Sequence, residues 1–130
     1  AAAGPVSNLI LAFLGVIVIY TVHAFFPYII NDNLKIFLNI FIQINIFLAL
    51  FNLLPFFPLD GGQIFGKIIS KYNYDLAQNL NIYGPRILLG IILFGIITGH
   101  SIIGMIIEPI YLLIRTIFDN IVLFIIRLFI

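Results

Sequence analysis

The six basic and five acidic side chains divide this 130-residue chain into long apolar blocks separated by short polar stretches. No charge of either sign precedes Asp32. The first block runs from Pro5 to about Pro27, and within residues 9–22 the only polar side chains are Tyr20 and Thr21. About 20 helical residues, rising ~1.5 Å each, cross a hydrocarbon core of ~30 Å. The block therefore predicts a membrane-spanning helix. Pro5 suits its first turn, where a missing N–H costs nothing. Phe25, Phe26, Pro27 and Tyr28 form an aromatic end suited to the lipid–water interface.

After the polar turn Asn31-Asp32-Asn33, a second apolar block extends from Lys35 to Asp60. Its helical core is expected over residues 34–54, ending before Pro55. Gln43, Asn45 and Asn52 lie inside it, and a bare amide in hydrocarbon is costly unless hydrogen-bonded, which argues for packing in a bundle with bonds to another helix. Pro55 and Pro58 cannot continue a regular helix, so residues 54–62 should be irregular. Residues 63–86 are more polar and read as a short amphipathic helix followed by a loop outside the lipid. A third block, 87–107, reads as one span broken near its end by Gly99-His100-Ser101 and closed by Glu108-Pro109. In the tail, 110–130, Arg115, Thr116, Asp119, Asn120 and Arg127 project onto one face, which predicts an amphipathic helix.

Composition settles the class. Sixty-three per cent of the residues are hydrophobic and 8% charged, against about 25% charged in soluble domains. Too little polar surface exists to cover a water-soluble monomer. The fold class is all-α, a polytopic integral membrane helical bundle of about three spans plus a C-terminal amphipathic helix, with membrane lipid as its main partner. Residues 1–130 are read as a single membrane domain. A net charge of +1 gives no sign of nucleic-acid binding. There is no cysteine, hence no thiolate ligand or thiol nucleophile. The start, Ala1-Ala2-Ala3-Gly4-Pro5, has no positive n-region of a secretory signal, and the chain is expected to be part of something larger.

Asp60 is the one charge between Lys35 and Lys67. A carboxylate at the end of an apolar helix is a functional-site hypothesis by default. Pro55 and Pro58 restrict the backbone before it, and Gly61 and Gly62 behind it permit close approach of other groups. Asn52, two turns earlier, supplies an amide that both donates and accepts. On these residues alone the alternative stays open that Asp60 merely caps the next helix in an interfacial turn.

The element Asn52-x-x-Pro55-x-x-Pro58-x-Asp60-Gly61 resembles a signature of the site-2 protease family of intramembrane zinc metalloproteases. Ala3-Gly4-Pro5-x-x-Asn8 is similar to the family's segment opening the membrane helix that follows its HExxH region. Tyr83-Gly84-Pro85 and the apolar stretch after it resemble the compact bacterial members. The resemblance implies zinc-dependent peptide-bond hydrolysis within or near the membrane, with a membrane-protein substrate and Zn2+ as cofactor. It makes Asp60 the carboxylate zinc ligand and Asn52 a polar group near the metal, able to bind substrate backbone or a developing oxyanion. Pro55, Pro58, Gly61, Gly62, Gly4, Pro5 and Asn8 would shape the site. A bacterial inner membrane is the expected location.

The chain departs from the family in one respect. HExxH would supply two histidine ligands and a glutamate base, and this sequence contains no such motif. Its histidines, His23 and His100, both follow the Ala3-Gly4-Pro5 segment. The chain is accordingly expected to be the C-terminal portion of the domain, whose HExxH-bearing segment is its missing partner, and to be inactive by itself. A non-enzymatic subunit of a transporter or respiratory complex, or an inactive pseudoprotease fragment, are the competing readings.

Overall fold

The computed structural model describes residues 2–56 and 58–130; Ala1 and Phe57, each part of a segment discussed above, lie outside the described residues. Five helices follow one another: α1 (Ala3–Phe25), α2 (Asp32–Asn52), α3 (Asp60–Ser70), α4 (Tyr74–Thr98) and α5 (Ile102–Arg127). Four of them, α1, α2, α4 and α5, are long and apolar enough to cross a membrane. The protein is a helical membrane bundle.

The first two helices end where local chemistry dictates. α1 stops at Phe25, two residues before Pro27, because the residue before a proline is driven out of the helical region. The Asn31 side chain caps α2, its Oδ1 accepting from the Leu34 N–H at 2.8 Å. α2 then runs to Asn52 and ends ahead of Pro55. The two helices pack antiparallel. A Cβ on Gly15 would stand only 2.8 Å from Cγ1 of Ile42, so the missing side chain sets the closeness of the contact. Ala12, Val16, Ile42 and Ile46 are fully buried there, and Val122 of α5 closes the cluster. Phe13 and Phe118 meet edge to face at 5.1 Å between ring centroids, and Phe47 and Tyr111 pack at a tilt with centroids 5.3 Å apart. Asn45 is buried in α2, and its Nδ2 donates to the Phe41 carbonyl at 2.8 Å. Its amide thus bonds within its own helix, where a bond to another helix was expected.

The C-terminal half differs from the sequence reading in its boundaries. Instead of a polar loop through residue 86, only residues 71–73 separate α3 from α4. The Asn73 side chain caps α4 by accepting from the Leu76 N–H at 3.1 Å, and α4 continues through Pro85. A proline inside a membrane helix is tolerated where neighbouring groups serve the freed backbone carbonyl. Gly99 ends α4 in the left-handed conformation, φ 72°, which costs glycine no Cβ clash. Ser101 then starts α5, its Oγ accepting from the Gly104 N–H at 2.9 Å. The 87–107 block is therefore shared between two helices. The amphipathic tail is the second half of α5, which passes unbroken through Pro109.

Candidate metal-ligand site

Between α2 and α3 the backbone folds tightly. The Leu54 N–H donates to the Phe51 carbonyl at 3.1 Å, Phe56 to Leu54 at 2.8 Å, and Leu59 to Phe56 at 2.9 Å. Pro55 and Pro58 lie exposed in this turn, where proline needs no ladder donor. Asp60 is the first residue of α3, following Leu59 at the cap position. Its carboxylate makes no hydrogen bond among the described residues. The helix-cap reading of Asp60 has no such bond to support it.

The half-buried carboxylate turns back toward the start of α1. A Cβ on Gly4 would lie 2.6 Å from its Oδ2 and 3.8 Å from its Cγ. A Cβ on Gly61 would overlap the backbone carbonyls of Leu53 and Leu54. The two glycines thus serve different approaches: Gly4 admits the carboxylate, and Gly61 seats α3 against the end of α2. Gly62 and Pro5 are buried beside them. Asn8 follows Gly4 by one helical turn on the same face and is half-buried, as is Asn52, the last residue of α2. The structure brings the Gly4 turn and Asp60 together. Asn52 stands one tight turn away, and no hydrogen bond joins it to Asp60 among the described residues.

Electrostatics favours an anion at this corner. Asp60 occupies the first turn of α3 and also abuts the first turn of α1. The positive end of the α3 dipole lies beside this carboxylate, whose oxygens are free to accept among the described residues. A carboxylate oxygen is a good zinc donor, and a catalytic zinc takes three protein ligands plus water. Asp60 fits as one such ligand. Among the described residues, no three His, Cys, Asp or Glu side chains gather to complete a set. His23 is exposed at the far end of α1, and His100 lies exposed in the α4–α5 turn with Nδ1 2.9 Å from the Thr98 carbonyl. Glu108 is exposed within α5.

Two features escaped the sequence reading. A groove of about 440 Å³ between α3 and α4 begins at Gly62, just past Asp60, and is lined by Gln63, Lys67 and Asn81 among others. At the other end of the bundle, Arg115 of α5 reaches Asn39 of α2 at 3.0 Å. Only the alternation of amides with apolar residues in these helices hinted at either.

Comparison with known proteins agrees with the motif. The model of peptidase family M50 matches residues 22–95, more than half of the chain. The Bacillus subtilis protein named "Putative zinc metalloprotease YwhC" is 46% identical over 70 residues, covering 52% of this chain and 32% of that protein. The Methanocaldococcus jannaschii protein named "Zinc metalloprotease MJ0392" is 36% identical over 106 residues, covering 78% of this chain and 29% of that protein. The chain spans about a third of the length of these relatives. No solved structure matches it. The chain belongs to peptidase family M50, the site-2 protease family.

Proposed function

We propose that this chain contributes the carboxylate ligand of a zinc-dependent intramembrane peptidase. The observation that carries the reading is the approach of the Asp60 carboxylate to Gly4, which joins the two motif segments at one corner of the bundle. Asp60 would hold the metal through its carboxylate, with the remaining ligands coming from an HExxH segment outside these 130 residues. Zinc held there supplies a bound water with its pKa lowered to ~7 and a Lewis acid for the scissile carbonyl. The Asn52 amide, on the neighbouring turn, would donate to the substrate backbone or to the oxyanion as charge develops. Gly4 leaves room for the carboxylate, and Gly61 lets α3 seat against the end of α2, so the corner stays free of competing side chains. Alone, with one ligand, the chain would be inactive. Its setting would be a bacterial inner membrane and its substrate a helix of another membrane protein.

The test pairs the chain with an HExxH-bearing segment and follows bound zinc together with cleavage of a membrane peptide. Asp60→Asn, close to isosteric, is expected to lower both by more than the roughly 10–100-fold typical of outer-shell substitutions. Zinc content and cleavage that survive Asp60→Asn would remove Asp60 from the ligand set.

A further inference from the structure

At the end of the bundle away from Asp60, α1, α2 and α5 enclose a second polar site. From Gly4 to His23 the α1 axis covers about 28 Å at ~1.5 Å per residue, close to the ~30 Å thickness of a hydrocarbon core. There, a cavity of about 260 Å³ is lined by Tyr20, His23, Ile30, Lys35, Asn39 and Arg115, among others. Arg115 Nε donates to Asp119 Oδ1 at 3.0 Å, and Nη2 donates to Asn39 Oδ1 at 3.0 Å. Asn39 Nδ2 is used in turn on the Lys35 carbonyl at 2.9 Å. Tyr20 lies beside both Arg115 and Asp119.

Asp119 offsets the charge of Arg115, and Lys35 has no carboxylate partner among the described residues. The cavity therefore carries one positive charge that nothing on its walls balances. It also offers free donors: the three N–H groups of Lys35 and the ring of His23, the Tyr20 hydroxyl being taken up by Asp119. A link holding three helices together would require only Arg115, Asp119 and Asn39. It has no use for Lys35 and His23 around an open space. The site lies next to Phe25, Phe26 and Tyr28, the aromatic cluster that marks an interface.

We propose that this cavity binds a phosphate oxyanion, carried on an anionic phospholipid headgroup or free in solution. A phosphodiester bears the single negative charge that would balance Lys35, and its unesterified oxygens accept from Lys35 and from the His23 ring. Lys35 is the main anion contact, while Arg115, already held by Asp119 and Asn39, fixes the wall.

The proposal is tested by reconstituting the full chain with phosphatidylglycerol or phosphatidylcholine and counting retained lipids by native mass spectrometry, with inorganic phosphate as competitor. Phosphatidylglycerol should be retained several-fold more than phosphatidylcholine. Lys35→Gln should reduce that preference about fivefold, the worth of one lysine near an anionic lipid. Lys67→Gln removes the same charge from α3 and should leave the preference unchanged. Competition by inorganic phosphate would assign the site to the free ion, and its failure to compete would assign it to the lipid headgroup. Equal retention of the two lipids without phosphate binding would overturn the site. So would equal losses in the two variants, which would show a response to net charge alone.

Discussion

On α2, Ile42 and Ile46 are fully buried between α1 and α5, whereas α4, a longer helix of similar apolar character, buries only Ala77, Gly84 and Leu88. Gly15 of α1 presses against Ile42, while Gly90 of α4 has open space where a Cβ would stand. Ile96 and Ile97 near the end of α4 are 72% and 81% exposed. The contrast separates two properties that hydropathy merges. Apolarity brings a helix into lipid, because the bilayer accepts any such face. Close association with another helix requires small residues and complementary shapes, since lipid tails are as apolar as leucine. α1, α2 and α5 have that complementarity. α4 meets it mainly along α3, with a smaller contact to the start of α5.

The largest break in the comparison should come from Ile42→Ala. Truncating a fully buried isoleucine is expected to cost about 2–5 kcal/mol, read as a lowered melting midpoint in detergent. A cost no greater than that of an α4 surface substitution would mean that α1, α2 and α5 do not form the packed unit. Gly61→Ala should come next, at about 1–3 kcal/mol, because its Cβ would displace the backbone at Leu53 and Leu54. In the metal-loaded, reconstituted enzyme it should also lower zinc affinity, whereas Ile42→Ala should leave the Asp60 corner intact. Ile97→Ala should change stability by no more than about 0.5 kcal/mol if α4 faces lipid. A larger loss that appears only when the remainder of the enzyme is present would identify that face as a protein contact.

The two best-packed helices were also the most legible. Asn31, Pro27 and Pro55 act locally, so the ends of α1 and α2 could be read within about two residues. Beyond residue 62 the same rules misled. Polar composition suggested a loop through residue 86, but the Asn73 cap and an otherwise helical stretch carried α4 through it. The stripe Arg115–Asp119 left open whether the helix lies in the interface or packs its polar face on a partner; it faces Tyr20 and Asn39 inside the bundle, across 76 residues of sequence from Asn39. The motif around Asp60 and the Gly4-Pro5 segment could each be read through their resemblance to site-2 protease segments. Their meeting depends on how α3 seats against α2, which no local pattern encodes.

The Arg115–Asp119 pair also bears on how α5 enters the membrane. Either charge alone in an inserting helix is costly, rising to about 2.5–3.5 kcal/mol at the bilayer centre on translocon scales. Being one turn apart, the two can neutralise each other as soon as α5 is helical, before any neighbour is in place. The helix can then partition as a nearly neutral segment. Asn39 becomes available only when α2 is alongside, so the contact at 3.0 Å belongs to assembly, after insertion. One intrahelical pair thus lets a charged helix be inserted first and recognised afterwards.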